Sequence, residues 1–149
     1  MQHWFAIMAF SLLTAQASAQ PGEVAGIFGL GVDPQDCNLA IAKRVRFADV
    51  VADPVRFRSQ CVKFRAVANG SVAFADAHTA RRAVDGKAAR VGLYHRAMAA
   101  DFPRRPRPVQ LAGLVGDCAT LWAEAEYVGG YCHMLERGAF LIVGEVRQP

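Results

Sequence analysis

The chain has 149 residues, and because single domains most often hold about 100–150 residues, a second domain is not expected. Its formal net charge at pH 7 is +4, an ordinary value for a soluble protein that does not by itself indicate a polyanion as ligand. Beyond the N-terminal region, no segment has the run of about 20 apolar residues that a transmembrane helix needs, which excludes a helical membrane protein.

The N-terminal region has the pattern of a secretory signal peptide. Residues 5–13 form an apolar run that is too short to cross a bilayer, and Ala17, Ser18 and Ala19 match the small-residue cleavage pattern. We predict a signal peptide over residues 1–19, cleaved between Ala19 and Gln20, and hence a periplasmic or secreted protein. The alternative is an apolar helix that stays attached as an anchor.

The four cysteines all follow the predicted cleavage site. An even number of cysteines in an exported chain predicts disulfides, because oxidising compartments let these bonds persist. Four cysteines can pair in more than one way. We favour Cys37 with Cys61 and Cys118 with Cys132, since the members of each pair are close in sequence and flank a predicted turn or short helix. A loop of about 15 residues closed in this way contributes roughly 3 kcal/mol on the chain-entropy model.

Residues 20–32 contain four glycines and no hydrophobic periodicity, so we predict a flexible N-terminal arm before a single domain of residues 33–149. Asp33 and Pro34 are good helix-starting residues, and the helix can continue to Ala42. Over residues 45–51 apolar and polar residues then alternate, which predicts a strand. After a turn at Pro54, alternation resumes as far as Arg58.

The clearest local signal lies in residues 61–75. Val62, Phe64 and Ala66 alternate with polar residues, Asn69 and Gly70 follow, and a second apolar run begins at residue 71. An Asn-Gly pair between two alternating runs predicts a β-hairpin with a type I′ turn, because that turn needs positive φ at both central residues.

The middle of the chain alternates between polar segments and one short strand. Residues 76–87 are polar and predict a short helix ending near Gly86, and residues 91–95 predict a strand. Residues 102–108 contain three prolines and three arginines. Because proline removes backbone donors and restricts the residue before it, we predict an exposed basic loop there.

The last third of the chain predicts two strands around a helix. Residues 109–116 are apolar with two glycines, as in a central strand that bends. Asp117 can cap a helix over residues 118–127, and Gly129 can end it. Residues 139–147 form the most apolar strand of the predicted domain.

About five or six short strands and one or two short helices predict a mainly β fold. We expect a small, closed or partly open antiparallel barrel, because closure removes exposed strand edges; a β-sandwich is the alternative. The hairpin strand, the strand that leads into a helix and the closing strand resemble an OB-fold in layout over residues 45–147. That resemblance implies a scaffold that binds oligonucleotides, oligosaccharides or proteins, although fold alone does not decide function.

Cys132 and His133 are the sharpest candidates for chemistry. A histidine near a cysteine can lower the pKa of the thiol and produce a nucleophile, so an exported enzyme using Cys132, His133 and Asp117 is one hypothesis. Adjacent residues on a strand, however, point to opposite faces, and a disulfide removes the thiol. We therefore assign no catalytic residue.

The histidines do not have the spacing of a metal site. His78, His95 and His133 could in principle meet an aspartate such as Asp76, but no His-x-x-x-His or Cys-x-x-Cys pattern accompanies them. We predict no metal and no cofactor.

A second alternative function is polyanion binding through a basic loop. Arg104, Arg105 and Arg107 could act together with Lys63 and Arg65 on one strand face. Nucleic acid is not the expected natural partner, because an exported protein rarely meets it and a nucleic-acid barrel needs aromatic side chains for stacking on that face.

Our leading functional hypothesis is an exported, non-enzymatic binding or structural module of the cell envelope that contacts a protein or another envelope component. The candidate binding residues share exposure or a position beside the predicted second disulfide. They are Tyr131, His133, Arg104, Arg105 and Arg107.

Overall fold

The computed structural model describes residues 36–83, 88–95, 102–124, 130–135 and 137–149. The predicted signal peptide and the predicted arm lie outside these ranges, as do the first residues of the predicted N-terminal helix and the predicted helix stops at Gly86 and Gly129. The domain that we predicted from residue 33 is therefore described from Asp36 onward.

The described residues form six strands, three short α-helices and two 3-10 helices. In chain order these are β1 (Lys43–Arg44), α1 (Phe47–Ala52), a first 3-10 helix (Val55–Phe57), β2 (Cys61–Asn69), β3 (Val72–Phe74), α2 (Ala77–Arg82), β4 (Arg90–His95), β5 (Arg107–Asp117), α3 (Cys118–Glu124), a second 3-10 helix (Gly130–Met134) and β6 (Ala139–Arg147). No helix in the described ranges is long and apolar enough to cross a bilayer.

Five of the strands close into a barrel. The order is β2-β3-β4-β6-β5, and β5 pairs with β2 to complete the ring. The short strand β1 pairs in parallel with the beginning of β2, which β3 does not reach. The predicted barrel is confirmed, and its layout is compatible with the OB-like one. It is mixed rather than antiparallel, because β4 and β6 are parallel. A ring with an odd number of strands cannot alternate direction throughout, so one parallel pair is unavoidable.

The strand predicted over residues 45–51 is wrong. The segment forms α1, in which Phe47 and Val50 are buried and Val51 packs against the same core. These three residues also have the i, i+3, i+4 spacing of a helix, so a short stretch satisfies both periods. The helix forms because it lets Phe47, Val50 and Val51 pack together against the barrel core. The segment after Pro54 likewise turns into a 3-10 helix instead of a strand.

The predicted hairpin is confirmed, but its turn lies one residue further along. Asn69 pairs with Val72, so Gly70 and Ser71 form the two-residue loop. Within the described part of the chain, Gly70 has positive φ and Ser71 does not. A glycine at the first central position is typical of a type II′ turn and not of the predicted type I′ turn.

The barrel interior is filled by apolar side chains from all five strands, with α1 and the first 3-10 helix closing one end. Alternation along each strand places the strand residues of this core on the inner face of the barrel. They are Phe47, Val50, Phe57, Val62, Phe64, Ala66, Ala68, Ala73, Val91, Leu93, Val109, Leu111, Val115, Ala139, Leu141 and Val143.

A second apolar cluster lies on the outer face of β5 and β6. Ala112, Leu114, Phe140 and Ile142 are covered there by α3, by the second 3-10 helix and by a segment that we call the strap, residues 37–42. We predicted a helix continuing to Ala42, but the strap is a turn, in which the side chain of Asn38 accepts from two backbone N–H groups. The outer face of β5 and β6 is therefore shielded from solvent at these residues.

Both predicted disulfides are confirmed. Cys37 bonds to Cys61 and ties the strap to the start of β2, and Cys118 bonds to Cys132 and ties α3 to the second 3-10 helix. The Cα atoms are 5.4 and 5.3 Å apart, within the ordinary range for disulfides. The described residues contain no free cysteine.

Candidate binding surface

Tyr131, one of the predicted binding residues, has a packing role. Its ring lies directly on Gly92 of β4, where any Cβ would overlap it, and its hydroxyl donates to the Arg90 carbonyl at 3.4 Å. The Arg90 guanidinium lies over the ring at 5.9 Å. Half-buried in this way, Tyr131 fixes the second 3-10 helix to β4.

Tyr94 completes the same corner from the other side. Its hydroxyl accepts the Cys132 N–H at 3.0 Å, and its ring packs edge-on against Phe140. Burial raises the pKa of both Tyr94 and Tyr131 above the ordinary tyrosine value, because desolvation disfavours the phenolate. Both hydroxyls therefore remain protonated at neutral pH.

The arrangement around Cys132 offers no thiol in the oxidised protein. Cys132 is buried and bonded to Cys118, and His133 next to it is exposed. Asp117 is engaged as the cap of α3, where its carboxylate accepts from the backbone N–H and the hydroxyl of Thr120, both at 3.0 Å. Of the three residues in the enzyme hypothesis, Cys132 is thus held in a disulfide and Asp117 caps a helix.

The remaining histidine candidates lie on different elements. Asp76 caps α2 by accepting the Thr79 N–H at 2.7 Å, and this hydrogen bond lowers the pKa of Asp76. His78 is exposed on the same helix, and His95 is the last residue of β4. Within the ranges that the structure describes, no group of three His, Cys, Asp or Glu side chains could hold a metal ion.

The predicted basic loop is exposed but shorter than expected. Arg104 and Arg105 lie before β5, whereas Arg107 and Pro108 are already in the strand. The carbonyl of Pro103 accepts the Gly70 N–H at 2.8 Å, so this loop attaches to the β2–β3 hairpin. Tyr131 instead contacts β4, and His133 lies in the second 3-10 helix, which the Cys118–Cys132 disulfide ties to α3. The two groups of predicted residues therefore lie on different elements.

A cationic concavity lies elsewhere, where β1 joins β2. We call it the basic groove; it has a volume of about 320 Å³ and combines cationic side chains with an apolar floor. Its lining residues are Arg44, Val45, Arg46, Phe47, Lys63, Phe64, Arg65 and Gln110.

Strand geometry brings three of these cations together. Val62, Phe64 and Ala66 point into the barrel, so Lys63 and Arg65 project outward, and Arg44 is the cross-strand neighbour of Lys63. With neighbouring strands about 4.8 Å apart and about 3.3 Å of rise per residue, the Cα atoms of Arg44, Lys63 and Arg65 lie within roughly 8 Å of one another.

The carboxylates near the groove are already engaged. Asp49 takes the Arg46 guanidinium through two hydrogen bonds, of 2.8 and 2.6 Å, which raises the pKa of Arg46 and lowers that of Asp49. Glu145 accepts from Arg147 at 3.2 Å. Within the described ranges, Arg44, Lys63 and Arg65 have no carboxylate partner.

Lys63 and Glu145 also hold the strap. The Lys63 ammonium donates to the Leu39 carbonyl at 2.6 Å, and the Glu145 carboxylate accepts the Leu39 N–H at 2.7 Å. Because the carbonyl is neutral, this hydrogen bond does not pair Lys63 with a carboxylate. Lys63 thus links the strap to the wall of the groove.

A second, more apolar cavity of about 280 Å³ continues from the basic groove across Arg65 and Gln110. We call it the proline pocket, because Pro108 and Pro149 line it together with Ala66 and Val109. The cross-strand order Arg65, Gln110, Arg147 forms its border with the groove. A cationic surface and an apolar one therefore lie side by side.

Sequence reasoning found half of this surface. Lys63 and Arg65 were identified as one strand face, but they were assigned to the loop of Arg104. Arg44 and Arg46 are not among the candidate binding residues that the sequence predicts. One signal could have linked the two halves. Cations alternate with apolar residues both in residues 44–47 and in residues 63–65, and the predicted Cys37–Cys61 disulfide brings these two segments close together.

These features define a class: a small, mainly β protein with a closed mixed barrel, two disulfides and a basic groove on its outer face. No family model matches the chain, and neither the curated proteins nor the solved structures contain a match.

Proposed function

We propose that the chain is an exported, non-enzymatic binding module of the cell envelope, and that its basic groove holds an anionic group of an envelope component. The observation that carries the proposal is the trio Arg44, Lys63 and Arg65. Like charges that face one another across a strand pair destabilise a sheet, so an unneutralised trio costs folding stability that an anionic ligand would restore.

Other features agree with this function. Two disulfides suit an oxidising compartment outside the cytoplasm. A closed barrel with packed outer clusters is a rigid scaffold, and rigid scaffolds lose little entropy on binding. The thiol-enzyme alternative finds no support, because Cys132 is bonded to Cys118.

The test compares three pairs of charge reversals of equal size for retention on immobilised heparin. Arg44→Glu/Arg65→Glu alters the groove, Arg104→Glu/Arg105→Glu alters the predicted basic loop, and Arg81→Glu/Arg82→Glu alters exposed arginines of α2 as a matched control. Circular dichroism and the absence of free thiols check that each variant is folded.

We expect the wild-type protein to elute at moderate salt, the groove variant to elute much earlier, and the other two variants to shift only slightly. Salt dependence is expected because anion binding by arginine and lysine releases counterions. Equal shifts for all three variants would reduce the effect to net charge and contradict the proposal. A selective loss in the loop variant would transfer the site to Arg104 and Arg105.

A further inference from the structure

The apolar surroundings of the basic groove restrict the kind of anion it suits. Ile41 of the strap is 67% exposed, whereas the next residue, Ala42, is buried. Ile41 follows Leu39, whose carbonyl binds Lys63, by two residues. On the other side, the proline pocket presents the exposed Pro108 and Pro149 next to Arg65. A ligand that binds the cations therefore has apolar side chains nearby.

Nucleic acid does not fit this composition. Binding of single strands relies on exposed aromatic rings on which bases stack. Phe47 and Phe64 form the groove floor but are 8% and 3% exposed, and they pack edge to face against each other inside the barrel. Tyr94 and Tyr131 are engaged at the second 3-10 helix. The groove thus offers charge and aliphatic surface without a stacking platform.

The surface of an anionic bilayer presents the complementary chemistry. Its phosphate groups attract clusters of lysine and arginine, and its interfacial zone accepts isolated aliphatic side chains. The trio Arg44, Lys63 and Arg65 supplies the charge, and Ile41 supplies an exposed aliphatic side chain.

We propose that this protein docks peripherally on a membrane rich in anionic phospholipids, with Arg44, Lys63 and Arg65 against the headgroup phosphates and Ile41 inserted into the interface. The inference rests on the proposed function and names the envelope component. The strap gives Ile41 a fixed place, because the Cys37–Cys61 disulfide and the bonds from Lys63 and Glu145 hold the strap on the barrel. Docking therefore requires no rearrangement of the described fold.

The experiment measures sedimentation of the disulfide-bonded protein with vesicles. One set is phosphatidylcholine alone, and the other mixes phosphatidylcholine with phosphatidylglycerol. Variants are Arg44→Glu/Arg65→Glu and Ile41→Ser. The controls are Arg81→Glu/Arg82→Glu and Met134→Ser; Met134 is 81% exposed on the second 3-10 helix, so its substitution removes a comparable apolar side chain elsewhere.

We expect binding to the anionic vesicles only, weakened about 30-fold or more by the groove variant and weakened by high salt. Ile41→Ser should weaken binding about threefold to tenfold, because it removes apolar surface from the interface. Both controls should bind as the wild type does.

Two outcomes separate this inference from the proposed function. Groove-dependent retention on heparin or on a single-stranded oligonucleotide, without vesicle binding, would overturn the membrane assignment and leave an anion-binding groove. If the wild-type protein showed neither groove-dependent retention nor vesicle binding, both proposals would be overturned. Vesicle binding that falls equally in the α2 control would show unspecific attraction and also overturn the membrane assignment.

Discussion

At the scale of single residues, the corner around Cys132 depends on a missing side chain. Gly92 lets the Tyr131 ring lie directly on the backbone of β4, and Gly116 does the same for the ring of Phe140 on β5. Tyr94 then packs against Phe140 and binds the Cys132 N–H. The two glycines therefore allow close contact between rings and strands, and the corner we first considered for chemistry is a packing site.

This packing predicts a late alkaline titration. The folded-state pKa of Tyr94 and Tyr131 lies above the unfolded value of 10.0, so their contribution to the free energy of unfolding is complete below about pH 10 and is lost as the pH rises through the folded-state pKa. Tyrosinate absorbance should appear at higher pH in the native protein than in the urea-denatured protein. Superimposed curves would contradict the burial of both rings.

The same corner predicts the effect of removing one hydroxyl. Tyr94→Phe deprives the buried Cys132 N–H of its acceptor, and leaving such a group unsatisfied costs about 1–3 kcal/mol. The free energy of unfolding, measured in urea with the disulfides intact, should fall by that amount. The variant should also lose a late step of the alkaline titration.

At the scale of elements, the strap shows how a segment without regular structure is held in place. Its Cys37–Cys61 disulfide, the Lys63 ammonium and the Glu145 carboxylate all act on residues 37–39. Leu39 and Ala42 in turn cover the outer cluster of β5 and β6. The strap is thus part of the outer cluster, and Lys63 links it to the basic groove.

We expect Cys37→Ala/Cys61→Ala to lower the free energy of unfolding by about 3 kcal/mol.

Glu145→Ala should have a smaller effect on stability, but it should accelerate hydrogen exchange of the Leu39 amide because that N–H loses its acceptor. Arg147→Ala is the control, since Arg147 binds Glu145 but not the strap. Unchanged exchange of Leu39 in Glu145→Ala would rule out this clamp.

At the scale of the whole molecule, closure depends on the long strand β5, which pairs with β2 along one side and with β6 along the other. The β5–β6 register shifts at a bulge between Ala112 and Gly113. Such bulges bend a strand and increase its twist, which helps a small barrel to close. A Cβ at Gly113 would overlap the Ile142 carbonyl of β6.

Gly113→Ala should therefore destabilise the barrel by about 3 kcal/mol or more, because a backbone atom and not a flexible side chain must shift. The matched control is Gly70→Ala, where no atom lies within 4 Å and only the φ of +58° is unfavourable. That substitution should cost about 1 kcal/mol. Urea unfolding of the two variants checks the order, and the reverse order would show that closure tolerates the added methyl group.

The accuracy of prediction from the sequence differed between segments for physical reasons. The strands at residues 61–69, 91–95 and 139–147 and the capped helix after Asp117 could be predicted, because their alternation, turn residues and caps act locally. Residues 45–51 could not, since Phe47 and Val51 share a face in a strand as well as in a helix, and only packing against the barrel core decides between the two. The basic groove could be predicted only in part, since its two halves come from separate segments.

By itself the sequence determined the mainly β character, the positions of most strands and the pairing of the cysteines, all of which follow from signals between near neighbours along the chain. Only the tertiary structure decided the parallel pairing of β4 with β6, the place of the strap and the meeting of Arg44 with Lys63 and Arg65. These depend on which strands lie side by side when the barrel closes. Closure minimises the exposed edges and apolar area of the whole chain, and no short stretch of sequence contains that information.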